Sequence, residues 1–184
     1  VAAGGTFKII VKAELPNGAA GGPYTVMKSA RSISNPLVSA NANDIVSTIA
    51  NLCRVTLDPS NIGRVSPGGS IVYTHVVTNV GNCTEQISFP AGLFDNSLAG
   101  WVALVVIDNP VAGGQSIVGA FDPQDTIAAG APSISLPPGG RLILLARVTA
   151  PIGAAPGTTN TTTLRINAGS SGLLSVTDRT TVIA

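Results

Sequence analysis

The sequence predicts an all-β protein, an antiparallel sandwich with a hairpin arm ahead of it. Three observations carry this. Short runs rich in Val, Ile, Thr and aromatic residues recur along the chain, Gly- and Pro-rich turns separate them, and no stretch holds a helical spacing of apolar residues.

The clearest run is Ser70 to Asn79, entered through Ser66-Pro67-Gly68-Gly69 and left through Val80-Gly81-Asn82. Side chains alternate along a strand, so Ile71, Tyr73, His75 and Val77 share one face, which is expected to look into the core. The Tyr73 hydroxyl needs a partner when buried, and Asn79 stands where its amide can bond the turn that follows.

Ahead of this run, Thr6 to Leu15 is expected to form a strand ended by Pro16-Asn17-Gly18, with Tyr24 to Lys28 returning as its hairpin partner. Two strands alone are marginal in water, so that hairpin needs another sheet to join. Ser29 to Asn43 is polar and interrupted by Asn35-Pro36, which reads as a linker. Asp44 to Leu52 fits a short helix or a strand; the β-branched Ile45-Val46-Ser47-Thr48-Ile49 favours the strand. The chain thus divides into an arm and linker over 1–50 and a sandwich over 51–184.

Within the sandwich, Cys53 to Leu57 alternates and stops at Asp58-Pro59. Further strands are expected over Glu85 to Phe89, Trp101 to Ile107, Gln115 to Val118, around Ile134, over Arg141 to Thr149, and over Thr159 to Ile166 and Leu173 to Ile183.

Composition narrows the function. Of 184 residues only 10% are charged, with a net charge of +1, so the clustered basic surface that nucleic acid or an anionic membrane requires is missing. No apolar run approaches the roughly 20 residues of a membrane-spanning helix. A surface with so few charges calls for neutral polar groups, sugar or other protein to cover it. The chain opens at Val1 without Met, as a mature product does after loss of a leader. Cys53 and Cys83 are even in number and lack metal spacing, which points to a disulfide in an exported protein. If the strands on either side of Asp58 to Gly69 pair antiparallel, both cysteines lie at the same end.

Pro67-Gly68-Gly69-Ser70 with Tyr73, Thr74, Val77, Asn79 and Gly81-Asn82 is followed by Gly100-Trp101-x-Ala103-Leu104, Leu136-Pro137-Pro138-Gly139-Gly140 and Pro151-x-Gly153-x-Ala155-x-Gly157-Thr158-Thr159. Together these resemble the Ig-like conserved repeat domain of bacterial surface proteins, a domain of unknown function and the eleventh of its series, over about Leu52 to Ala184. The resemblance implies an Ig-like fold in a secreted surface protein and carries no catalytic residue across. The loop Asp122-Pro123-Gln124-Asp125 is less acidic than the Asp- and Gly-rich loop common in that family.

Candidate sites are few. His75 is the single histidine and sits mid-strand, where a structural role outweighs a catalytic one. Asp122 and Asp125 give too few oxygens for calcium, which takes about 6 to 8. Asn82-Cys83-Thr84 and Asn160-Thr161-Thr162 fit the glycosylation pattern, and Asn160 is the better candidate if Cys83 is bridged. No phosphate-binding or nucleophile-elbow motif is present, so neither an enzyme, a metal nor a cofactor is expected.

The expectation is therefore an extracellular structural subunit that joins copies of itself into a filament or coat by strand addition, with Thr6, Phe7, Ile9, Ile10 and Val11 as the assembly strand; the alternative is an arm folded back on its own subunit. Its motive is the pair of nearly continuous apolar runs, Trp101 to Ile107 and Leu142 to Ala146, which would leave one sheet face bare. The rival is a monomeric cell-surface binding or adhesion module that uses the loops at one end of the sandwich.

Overall fold

The computed structural model describes residues 4–16, 19, 21–109 and 118–184. Thirteen strands lie in these residues, in three sheets, with a single 3-10 turn at Gly169–Ser171.

A hairpin comes first: β1 (Tyr24–Arg31) pairs antiparallel with β2 (Ser39–Val46), Tyr24 opposite Val46 and Arg31 opposite Ser39. This differs from the sequence reading. Thr6 to Leu15 belongs to no strand, and the stretch read as a linker supplies the partner strand. Asn35-Pro36 breaks the run as expected, but it sits in the turn of the hairpin, where Arg31 Nε donates to Pro36 O at 2.8 Å and Val38 N to Asn35 O at 2.9 Å. The strand expected over Asp44 to Leu52 ends at Val46, after which Ile49 makes one isolated bridge to Gly21.

The sandwich holds β3 (Val55–Asp58), β4 (Ile62–Val65), β5 (Ser70–Asn79), β6 (Glu85–Ser88), β7 (Phe94–Asn96), β8 (Val102–Ile107), β9 (Thr126–Ile127), β10 (Ile134–Leu136), β11 (Arg141–Thr149), β12 (Thr159–Ala168) and β13 (Gly172–Val182). One sheet runs β3-β5-β11-β8-β9 and the other β10-β6-β12-β13-β4, with β7 also on β12. The order β3-β5-β11-β8 reproduces A-B-E-D of an Ig sandwich, and β6-β12-β13 reproduces C-F-G. All pairings are antiparallel except β4 on β13. The opening strand is thus divided between the sheets: β3 lies on β5, the chain crosses at Pro59, which has no N–H for a ladder, and β4 continues on the opposite sheet. The strand expected at Gln115 to Val118 lies largely outside the described residues.

The inward face of β5 is as its alternation requires, with Tyr73, His75, Val77 and Asn79 buried. Tyr73 and Val77 belong to one core with Leu144, Leu164, Ile166, Val105 and Trp101. The bare outer face expected from the apolar runs is partly filled by the chain itself. Leu145 and Val106 point away from the core yet are buried, and Phe121, on the loop between β8 and β9, lies over this face with its ring 4.5 Å from the Arg147 guanidinium. Val102 and Val72 at its rim remain exposed.

Candidate assembly arm and buried polar clusters

The arm meets water along most of its length. Phe7 is 77% exposed, Ile10 83%, Met27 72% and Ile45 63%, values that ordinary core-seeking side chains do not keep when something covers them. The pleat explains the asymmetry of the hairpin: Val26, Lys28, Asp44 and Val46 share one face, while Met27 and Ile45 stand on the other. Lys28 pairs with Asp44 on the first face, and Phe7 and Ile9 border a shallow cavity there with Lys28, Ala30, Ala40 and Ala42. Thr6, Phe7, Ile9, Ile10 and Val11 are thus exposed and unpaired in any strand.

Asn82 ties this arm to the sandwich. Its Oδ1 accepts from Leu52 N at 2.6 Å, and its Nδ2 donates to Ala50 O at 2.8 Å and to Ala19 O at 3.0 Å. The asparagine read as a glycosylation acceptor is therefore occupied as a bracket. Asn160, the other acceptor, is 0% exposed, and its amide donates to Asn96 Oδ1 and Thr162 Oγ1, both at 3.0 Å. In the folded chain its amide is thus enclosed, where the tripeptide pattern calls for an accessible one.

Cys53 and Cys83 form a disulfide with Cα atoms 5.3 Å apart. Antiparallel pairing sets Val55 opposite Asn79, so the residues before β3 and after β5 meet at one end. Glu85, two residues beyond Cys83, is 2% exposed and one of its carboxylate oxygens comes within 4.8 Å of both sulfurs. Its Oε2 accepts from Ser170 N at 3.0 Å, whereas Oε1 is buried without a hydrogen-bond partner among the described residues. Sequence reading passed over Glu85, which opens β6 two residues after Cys83.

His75 is fully buried between the sheets. Nδ1 lies 2.8 Å from Pro59 O and Nε2 2.9 Å from Asp178 Oδ2, while Asp178 Oδ1 accepts from Asn61 N at 3.0 Å and Asn61 Nδ2 at 3.1 Å. The Pro59 carbonyl can only accept, so Nδ1 donates there. This is a fastener holding β5, the Pro59 crossing and β13 together. Two residues before it on the same face, Tyr73 meets Thr180 Oγ1 at 2.8 Å and donates to Arg179 O at 3.2 Å. Burial pushes its hydroxyl above the ordinary range, opposed by the Thr180 bond and reinforced by the Asp178 charge.

Asp122 and Asp125 shape a turn. Asp125 Oδ2 accepts from Asp122 N at 2.9 Å and Asp122 Oδ1 from Gln124 N at 2.9 Å. Among the described residues, the one group of three metal-ligating side chains is Cys53, Cys83 and Glu85.

Comparison with family models and with curated proteins returned no match, so the resemblance to the surface repeat family rests on the motifs themselves. Solved structures give distant likenesses. A PapD-like domain of human CEP192 is 11% identical, with 70% of this chain and 84% of that one covered and a TM-score of 0.39. AggA, the major subunit of aggregative adherence fimbriae type I of Escherichia coli, is 18% identical over 73% of this chain and 97% of that one, TM-score 0.40. A family 123 glycoside hydrolase of Clostridium perfringens is 7% identical over 72% of this chain and 27% of its own, TM-score 0.41. At these scores none of them bears on what this chain does.

Proposed function

We propose that the chain is a structural subunit of an extracellular surface filament or coat, and that copies join by strand addition through the arm. One observation carries the reading: Thr6 to Leu15, which alternates apolar and polar residues except at Ile10, is exposed and lies in no ladder. Pairing with the edge of a second copy bonds its backbone groups and buries Phe7, Ile9 and Val11. The low charge of the chain and the disulfide agree with a crowded assembly outside the cell. Because β13 is present between β12 and β4, the added strand extends an edge and fills no gap. The proposal assigns the chain no catalytic step and no cofactor.

The test compares the intact chain with chains lacking residues 1–15 or 1–50, by sedimentation and electron microscopy at matched concentrations. Ladders or fibres from the intact chain, and monomers of unchanged melting temperature from the shorter ones, support the proposal. Fibres from the chain lacking residues 1–50 overturn it. A monodisperse intact monomer favours the binding module instead.

A further inference from the structure

We infer that Cys53, Cys83 and Glu85 form a zinc-type metal site once the disulfide is reduced, so that disulfide and metal are alternative states of the same end of the sandwich. The three donor atoms lie within 4.8 Å of one another, drawn together by the start of β3 and by β6. A tetrahedral zinc ion with bonds of about 2.3 Å to sulfur and about 2.1 Å to oxygen holds its donors about 3.6 to 3.8 Å apart. Forming the site needs the sulfurs to part from bonding distance and the carboxylate oxygen to close in from up to 4.8 Å. The ion would take three protein ligands and leave a fourth position for water.

Glu85 is the observation that points to a ligand. A buried acceptor without a donor costs free energy, and Oε1 is such an acceptor. The disulfide has no proton to offer it, whereas a cation between the two thiolates satisfies it and offsets their charge. Oε2 is already held by Ser170 N, which orients the carboxylate as hydrogen bonds orient ligands in other metal sites. Gly169 leaves the room: a Cβ there would stand 2.1 Å from Glu85 Oε2. Both cysteines are half-buried. The chemistry balances simply. A dithiol reductant gives two electrons and two protons to the Cys53–Cys83 bond and becomes a disulfide; the cation then displaces the two thiol protons to solvent.

The experiment uses the full chain, reduced with a dithiol and desalted without oxygen, then titrated with Cd(II) while the thiolate charge-transfer absorbance is followed and Zn(II) competes. Trp101 fluorescence reports the fold throughout. The expected result is one ion per chain in the reduced protein and none in the oxidised protein. Glu85→Gln keeps the shape and is expected to weaken binding at least tenfold, while Cys53→Ser with Cys83→Ser abolishes it. Equal affinity in Glu85→Gln overturns the site, as does binding that appears only after the Trp101 signal shows unfolding, or no binding at all.

Discussion

His75 Nε2 and Asp178 Oδ2 meet at 2.9 Å across the two sheets, with neither side chain reaching solvent. Removing one partner of such a buried pair strands the other, so Asp178→Ala is expected to lower the unfolding free energy by about 3 to 5 kcal/mol. Urea titration measures it. A loss under about 1 kcal/mol, the scale of an exposed pair, would show that the two residues do not fasten the sheets.

Asn82→Ala removes three bonds that hold the root of the arm. The sandwich core does not touch these bonds, so its melting point is expected to change little. Limited proteolysis near Ala50 and Leu52 is expected to become several-fold faster. Unchanged cleavage would mean that the backbone bond from Asn82 N to Leu52 O and the adjacent disulfide hold the root without the side chain.

Glycine substitutions rank by what they meet. A Cβ on Gly81 would stand 2.1 Å from Leu52 O and 2.7 Å from Arg54 N, backbone atoms that cannot swing away. On Gly63 it would meet the tip of Ile71 at 2.3 Å and the Tyr73 hydroxyl at 2.6 Å, ends of side chains. Crowding of this kind costs about 1 to 3 kcal/mol, and Gly81→Ala is expected to lose more than Gly63→Ala. The reverse order in denaturant unfolding would refute the ranking.

Tyr73 gives the alkaline limit. Its folded-state hydroxyl titrates above the ordinary value near 10, so the unfolded chain releases the proton first. The stability it contributes is fully present below about pH 10 and is lost as pH rises through the folded value. Unfolding free energies between about pH 9.5 and 11.5 are expected to fall less steeply in Tyr73→Phe than in the parent. Parallel slopes would refute this.

Sequence reading recovered the elements whose pattern is local. The alternation of Ser70 to Asn79 set the faces of β5, and Asn79 caps its turn as foreseen, with Gly81 N donating to its Oδ1 at 3.0 Å. The cysteine pairing followed from one antiparallel register. What escaped was decided across distance. Ile62 to Val65 has no strand signature beyond one Gly-interrupted pair of apolar residues, and its place depends on lying parallel to β13. Ser39 to Val46, the weaker β-former, takes the place beside β1 that Thr6 to Leu15 was expected to hold, through the turn at Asn35-Pro36. Asn82 and Asn160 matched a three-residue pattern that contains no information about burial.

The divided opening strand also sets how a subunit would carry tension. In the oxidised chain a pull on the arm passes from Cys53 straight to Cys83 and on to β6, leaving β3, β4 and β5 outside the load path. Some 30 residues of contour, about 100 Å when extended, are locked away. Reduction places them in series. The force then runs along β4 against β13, and because the two strands are parallel their ends are drawn in opposite directions along the strand axis. The four residue pairs from Ile62–Arg179 to Val65–Val182 are then strained together, in shear, where an antiparallel hairpin pulled from its open end would yield one pair at a time.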